Sequence, residues 1–132
     1  METMEGGCLC GKIRYRVSGD CGVTHCHCIH CRKLGGAAFV TWVEAKRSNF
    51  DWLQDQPTEF SPRPGITRSF CAQCGSPLTY QNHASPDSID VTAGSLDDPS
   101  GLEPDDHVWC DRKLHWVRIE DGLPRFGRGR RD

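Results

Sequence analysis

The sequence has no apolar run of the roughly 20 residues that a membrane-spanning helix needs. Its apolar stretches are short, and residues 37–43 are typical of them. Residues 1–7 carry two glutamates and no apolar segment, so nothing there predicts a secretory signal or an Arg-rich transit peptide. These absences predict a cytoplasmic protein that does not contact a membrane.

The sequence also has no excess of charge of either sign. Its 16 Lys and Arg nearly balance its 18 Asp and Glu, for a net charge of -2. A chain without a strong net field has no general attraction to nucleic acid or to anionic lipid. We therefore expect small-molecule partners, and the oligomeric state stays open.

No internal repeat and no break in composition divides the 132 residues, so we expect one domain over 1–132. The last segment, 125–132, differs because its arginines are interspersed with glycines. Such a segment is typical of a solvated chain end, and we expect it to be a flexible basic tail.

Short strands dominate the predicted secondary structure. Residues 12–18 alternate apolar and basic side chains with the period of a half-buried strand. Val, Ile, Thr and aromatic residues indicate further strands at 38–44, 88–93, 50–53, 67–70, 78–81, 107–109 and 116–119. The one helical segment expected is 29–34, closed by the glycine pair 35–36 as a left-handed cap. A proline-containing loop is expected at 57–65. Many short strands separated by turns predict a mostly β class, a sandwich or partly open barrel.

The nine cysteines carry the clearest chemical signal. An odd number cannot pair completely as disulfides, and a reducing compartment disfavours disulfides in any case. Cys71 and Cys74 have the spacing of a zinc knuckle and are followed by a glycine that permits the turn. Cys8 and Cys10, at i and i+2, project from the same side of an extended strand and can chelate one ion. Together the two pairs predict a closed, structural four-cysteine zinc site.

A second run supplies three further thiols, Cys26, Cys28 and Cys31, without an obvious fourth ligand. Three protein ligands and one open position are typical of catalytic zinc, whereas structural zinc is saturated. The alternative is a second structural site completed by Cys21, Cys110 or a histidine. An electron-rich zinc held by three thiolates suits thiol chemistry better than hydrolysis, because coordination deprotonates an incoming thiol.

Several segments resemble, in order, the glutathione-dependent formaldehyde-activating enzymes and the related centromere protein V domain. They are GCLCG at 7–11, CHCIHCRK at 26–33, FCAQCGSPL at 70–78, GSLDDP at 94–99 and DGLPRF at 121–126. The resemblance implies an Mss4-like fold built around two zinc ions per chain, one structural on the four cysteines and one catalytic on the three. It also implies addition of glutathione to formaldehyde, which in the reverse direction is the reaction of a carbon-sulfur lyase.

Side chains close to the three-cysteine group are candidates for substrate binding and proton transfer. Arg32 and Lys33, directly after the last ligand, and the more distant Arg68 are candidates for binding the carboxylates of glutathione. His27 and His30 lie beside the same ligands and are candidates for proton transfer, since histidine titrates near neutral pH. The expected partners are glutathione and a small carbonyl compound.

A second interpretation is a non-catalytic binding module in which both zincs are structural, as the relation to the centromere protein V domain permits. In that case a fourth ligand would complete the second site, and no thiol substrate would reach the metal. The number of protein sulfurs around each zinc therefore distinguishes the two interpretations.

Overall fold

The computed structural model describes residues 2–130. Within this range the chain forms ten strands: β1 (Thr3–Gly7), β2 (Arg14–Ser18), β3 (Gly22–Cys26), β4 (Val40–Lys46), β5 (Phe50–Trp52), β6 (Thr58–Phe60), β7 (Ile66–Phe70), β8 (Pro77–Asn82), β9 (Ser88–Thr92) and β10 (Asp106–Val108). One α-helix, α1 (Ile29–Gly35), and four short 3-10 turns complete the elements of this range. None of its helical segments is long and apolar enough to cross a membrane. The prediction of a mostly β class is confirmed.

The strands form two sheets. The small sheet has three antiparallel strands in the order β1-β2-β5, and the large sheet has seven in the order β10-β3-β4-β9-β8-β7-β6. Neighbours in the large sheet are antiparallel except β10, which runs parallel to β3. The main core lies between the sheets, where Tyr15 and Val17 of β2 form one cluster with Val43 of β4 and Val91 of β9.

Strand β2 shows how the sequence pattern produces this packing. Tyr15 and Val17 are completely buried, whereas Arg16 between them is exposed. The Tyr15 ring stacks on Phe50 of the neighbouring β5, with 5.5 Å between ring centroids. Burying each large apolar side chain of this kind contributes roughly 1.5–3 kcal/mol to stability. The alternation of apolar and basic residues therefore correctly predicts which face of β2 packs inward.

Some elements differ from those predicted. The strand expected at 116–119 is wrong, because these residues pair with no strand and the Trp116 side chain is 63% exposed. The loop expected at 57–65 contains β6, which is held in the sheet by pairing with β7. Strands β1 and β3 were not predicted, since β1 ends in two glycines and β3 mixes polar with apolar residues. Pairing with β2 and β4, rather than local propensity, makes these segments extended.

Helix α1 confirms the predicted segment and its cap. Cys28 is the N-cap residue, and its Sγ accepts a hydrogen bond from the backbone N–H of Cys31 at 3.3 Å. Gly36 ends the helix in the left-handed conformation, with φ of 60°, which glycine adopts without a steric penalty. The N-terminal cap holds Cys28 and Cys31 together at the start of the helix, directly after β3.

The C-terminal segment differs from the expected flexible tail over its described part. The backbone N–H of Phe126 donates to a carbonyl of β10 at 2.9 Å. Arg130 forms ion pairs with the buried Asp106 of β10 and, at 2.8 Å, with Glu44 of β4. Residues up to 130 are therefore attached to the large sheet, while residues 131–132 lie outside the described part of the chain.

We expect Arg130→Ala to lower the free energy of unfolding by about 1–3 kcal/mol, because it removes the cationic partner of a buried carboxylate. Asp106 would keep a hydrogen bond from the Thr24 hydroxyl, now at 2.5 Å, as its remaining side-chain contact in the described structure. The Arg130 side chain is itself 37% exposed, so screening by water keeps the effect at this size. Urea denaturation measures it, with the exposed Arg128→Ala as control. Equal midpoints for the two variants would contradict the anchoring role of Arg130.

Candidate metal centres and the adjoining cleft

Two segments far apart in the sequence meet at the four-cysteine group. Cys8 and Cys10 follow β1, and Cys71 and Cys74 follow β7. Their sulfurs lie within 4.8 Å of one another, with Sγ–Sγ distances of 3.5 Å for Cys8–Cys10 and 3.8 Å for Cys10–Cys71. Tetrahedral zinc with Zn–S bonds of about 2.3 Å separates its sulfurs by about 3.8 Å. The four residues therefore fit a closed zinc site.

Local hydrogen bonds favour thiolates at two members of this group, Cys8 and Cys74. The backbone N–H of Ile13 donates to Cys8 Sγ at 3.3 Å, and the Ser76 hydroxyl lies 3.2 Å from Cys74 Sγ. Hydrogen bonds from Ser76 lower the pKa of Cys74 to about 5. Gly75, with φ of 82°, makes the tight turn between Cys74 and Ser76. A sulfur that already accepts hydrogen bonds as a thiolate is prepared for metal binding.

The three-cysteine group lies where β3 leads into α1. Cys26 ends the strand, Cys28 caps the helix and Cys31 lies in its first turn. Their sulfurs lie within 4.8 Å of one another, and no further cysteine, histidine or carboxylate of residues 2–130 joins them within that distance. Cys21 and Cys110 are not in this group, so neither supplies a fourth ligand in this structure. The group fits a zinc with three protein ligands and one open position.

Hydrogen-bond donors surround this group as well. Trp42 Nε1 donates to Cys31 Sγ at 3.3 Å, in addition to the capping bond that Cys28 accepts. Hydrogen bonds from the Cys26 and Cys31 thiols hold the pKa of Cys28 far below its usual range, whereas contacts with Cys28 and Cys31 raise the pKa of Cys26. A thiolate is thus favoured at Cys28, and metal binding deprotonates the other two.

The three-cysteine group opens on a cleft of about 390 Å³. Its floor is one face of the large sheet, and α1 and the segment after β10 contribute to its rim. Clefts of roughly 300–1,000 Å³ are usual for small-molecule ligands. Its lining includes both cations and carboxylates: Arg63, Arg68, Arg112, Arg130, Glu44 and Asp90. A ligand that carries charges of both signs therefore fits this cleft.

Arg68 is the buried charge of the cleft. The residue is only 7% exposed, and its guanidinium lies over the rings of Trp42 and Tyr80 at 5.4 and 5.2 Å. One terminal nitrogen lies 3.8 Å from Cys31 Sγ. No carboxylate of the described residues forms an ion pair with it, and its Nε has no hydrogen-bond partner among them. A buried guanidinium without a carboxylate partner favours an anionic ligand beside it.

Comparison with known proteins assigns the chain to a family. The family model described as glutathione-dependent formaldehyde-activating enzyme matches residues 3–112, which include all seven cysteines of the two groups. The chain belongs to this family. The resemblance seen in the sequence is thus confirmed.

The comparisons also identify two similar proteins. A relative from Halomonas elongata, whose name assigns it provisionally to the glutathione-dependent formaldehyde-activating enzymes, is 28% identical over 127 residues, covering 89% of this chain and 81% of its own. A crystal structure of a Rhodobacter sphaeroides protein covers 93% of this chain and 99% of its own, with a TM-score of 0.60 and 21% identity. At that identity the second likeness shows a shared fold.

In this member of the formaldehyde-activating family, the three predicted substrate-binding cations occupy different places. Arg68 lies in the cleft, whereas Arg32 and Lys33 do not line it. The reason is the rotation of about 100° per residue in a helix. Because Cys31 points to the cleft, the next two residues of α1 turn away from it.

The two predicted proton-transfer histidines also separate. His30 lines the cleft, but His27 is buried and does not. His27 Nε2 lies 2.9 Å from His107 Nδ1, and His107 Nε2 lies 2.7 Å from Asp121 Oδ2. Burial, and then His107, lower the pKa of His27 to about 4, which keeps it neutral at pH 7. These contacts favour a role for His27 in holding the Asp121 loop against β10.

Several charged residues of the cleft were not found from the sequence. They are Arg63, Arg112, Arg130, Glu44 and Asp90. None belongs to a recognisable motif, and they come from separate parts of the chain. Only the strand order of the large sheet and the path of the C-terminal segment bring them together.

Proposed function

We propose that this chain is a zinc enzyme that joins glutathione to a small aldehyde and cleaves the same adduct. The observation that supports this most is the three-cysteine group, which lacks a fourth protein donor among the described residues and opens on a cleft with a buried Arg68 that has no carboxylate partner there. The names of the family and of the Halomonas relative indicate glutathione and formaldehyde as reactants. The product would be S-hydroxymethylglutathione, and cleavage would be a carbon-sulfur lyase reaction.

Zinc is the metal we propose for both groups, with two ions per chain. The structural ion would be held by Cys8, Cys10, Cys71 and Cys74, and the catalytic ion by Cys26, Cys28 and Cys31. Sets made only of thiolates, at tetrahedral spacing, are typical of zinc. When bound at three thiolates, zinc lowers the pKa of a thiol at its open position and so favours the nucleophilic thiolate of glutathione.

The residues of the chain itself supply binding and orientation. Arg68, whose guanidinium lies over the rings of Trp42 and Tyr80, is a cationic partner for an anionic group of the substrate close to Cys31. Arg63 and Arg112 at the edge of the cleft are candidates for a second carboxylate of glutathione. Holding the thiol and the aldehyde together in the cleft removes much of the entropic barrier to their reaction.

The test of this function is the exchange of ¹³C-formaldehyde with S-hydroxymethylglutathione, followed by NMR. With the zinc-loaded chain we expect exchange faster than the spontaneous rate, and saturation as glutathione is increased. A chain that holds two zincs and leaves the spontaneous rate unchanged would contradict the proposal.

X-ray absorption separates this proposal from the binding module. We expect one zinc with four sulfur ligands and one with three sulfurs and a lighter, exchangeable ligand, which glutathione replaces by a fourth sulfur. Two zincs that each show four protein sulfurs before glutathione is added would favour the module.

We expect Arg68→Gln to weaken glutathione binding by roughly 10- to 100-fold, since hydrogen bonds to charged groups contribute about 1.5–3 kcal/mol. The thermal midpoint should stay close to that of wild type, because the change breaks no ion pair with a carboxylate of the described residues. Calorimetric titration of zinc-loaded protein with glutathione measures the affinity. Arg32→Gln, which removes a cation outside the cleft, is the matched control. Equal affinities of the two variants would show that Arg68 does not bind the substrate.

A further inference from the structure

A row of polar and charged side chains crosses the floor of the cleft. Arg68 of β7 lies opposite Tyr80 of β8, Tyr80 lies opposite Asp90 of β9, and Asp90 lies opposite Glu44 of β4. Directly opposite residues of antiparallel strands point to the same face of a sheet, and all four line the cleft. The row begins at the three-cysteine group, where Arg68 lies 3.8 Å from Cys31 Sγ.

Asp90 differs from the other carboxylates near this row. Glu44 accepts two hydrogen bonds from Arg130, at 2.8 and 3.1 Å, and Asp106 pairs with the same guanidinium. Asp90, by contrast, forms no ion pair and accepts no side-chain hydrogen bond within residues 2–130, although it is half-buried in the middle of the large sheet. Its carboxyl has no structural partner there and remains available to a ligand in the cleft.

The surroundings of Asp90 set its protonation. The groups that face it are Glu44 from β4, Tyr80 from β8, Arg68 from β7 and Arg130 from the C-terminal segment. Burial, and then the Glu44 charge, raise the pKa of Asp90 to about 7, against the opposing effect of the two arginines. A group that titrates near the working pH can both accept and donate a proton readily.

We propose that Asp90 is the proton carrier of the reaction in this cleft, an inference that rests on the proposed function. In the addition direction, the ionised carboxylate takes the thiol proton as glutathione binds, and the thiolate sulfur then forms a bond to the carbonyl carbon. The electron pair of the C=O π bond moves to the oxygen, which then takes the proton from Asp90. The carboxylate is restored, and cleavage follows the same steps in reverse without any further reactant.

Asp90→Asn tests this role because it keeps the shape of the side chain but cannot carry the proton. We expect kcat/KM for formaldehyde exchange to fall by about 10²- to 10⁴-fold, the usual range for loss of a general acid-base group. Glutathione affinity should change by less than about threefold, and zinc content should stay at two per chain. Asp51→Asn, an exposed change on β5 outside the cleft, is the matched control and should behave as wild type.

The pH profile supplies a signature that a structural role would not produce. Because the ionised form starts the reaction, kcat/KM of the wild type should fall as the pH decreases through about 7. Glu44→Gln should move this acid limb to lower pH, since it removes a charge that raises the pKa of Asp90 and releases Arg130. Asp90→Asn should abolish the limb. In the wild type, the ¹³C NMR signal of the Asp90 carboxyl, assigned by its absence from Asp90→Asn, should titrate over the same pH range. This should hold with and without substrate.

The possible results separate the two proposals. If Asp90→Asn turns over within threefold of wild type, or Glu44→Gln leaves the limb in place, Asp90 is not the proton carrier and the proposed function stands. A zinc-loaded wild-type chain that does not accelerate exchange overturns both together.

Discussion

Cys71→Ser is expected to leave the chain largely unfolded. Cys71 is 1% exposed, and it joins the segment after β1 to the knuckle after β7 through the four-cysteine group. Binding of zinc at such sites contributes on the order of 10 kcal/mol or more to folding. That is comparable with the whole net stability of a small domain, about 5–15 kcal/mol. Replacing one thiolate therefore removes most of the stability of the fold.

Near-UV circular dichroism and thermal unfolding of the zinc-loaded protein measure this effect. Cys21→Ser is the matched control, because Cys21 is a partly buried thiol that belongs to neither group. We expect the control to unfold cooperatively, whereas Cys71→Ser shows no transition. A strong chelator should reproduce the result in the wild type. A cooperative transition within a few degrees of the control would show that the four-cysteine group does not hold the fold together.

Cys28→Ser is expected to abolish turnover while the chain stays folded. Cys28 caps α1 by accepting the N–H of Cys31, and serine is among the best N-cap residues, so the helix keeps its cap. What is lost is one of three thiolates around the proposed catalytic zinc. We expect kcat/KM to fall by at least about 10²- to 10³-fold, as when one electrostatic stabiliser of a transition state is removed.

The measurement combines metal analysis with the formaldehyde exchange assay. Cys28→Ser should retain one zinc per chain and a thermal midpoint close to that of Cys110→Ser, the control at a thiol outside both groups. Loss of the fold together with loss of activity would mean that the second zinc is structural. That outcome would favour the binding module over the enzyme.

The candidate site was predictable where its residues are close in the sequence. Cys26, Cys28 and Cys31 lie within six residues, so local chain geometry alone brings their sulfurs near one another. Cys71 and Cys74 are a similar case. The same locality allowed the left-handed cap at Gly36 to be predicted, since a cap depends on a few consecutive residues.

The remaining part of the site depends on pairing between strands. Residues 116–119 have strand-like composition but form no strand, because no neighbouring strand pairs with them in the described structure. Composition alone does not predict whether a pairing partner is present. Arg32 and Arg68 show that closeness in the sequence also fails to predict which cation lies beside the three-cysteine group. The cation next to the cysteines in the sequence turns away from the cleft, and the one 37 residues beyond Cys31 contacts its sulfur.

By itself the sequence determined three features: seven thiols in two groups that could hold metal ions, a mostly β chain and membership of the formaldehyde-activating family. Only the tertiary structure decided which charges line the cleft beside the three-cysteine group. Arg68, Asp90 and Glu44 become neighbours because β7, β8, β9 and β4 lie side by side in one sheet. The order of strands in a sheet depends on pairing between distant segments, so the spacing of residues along the chain does not predict it.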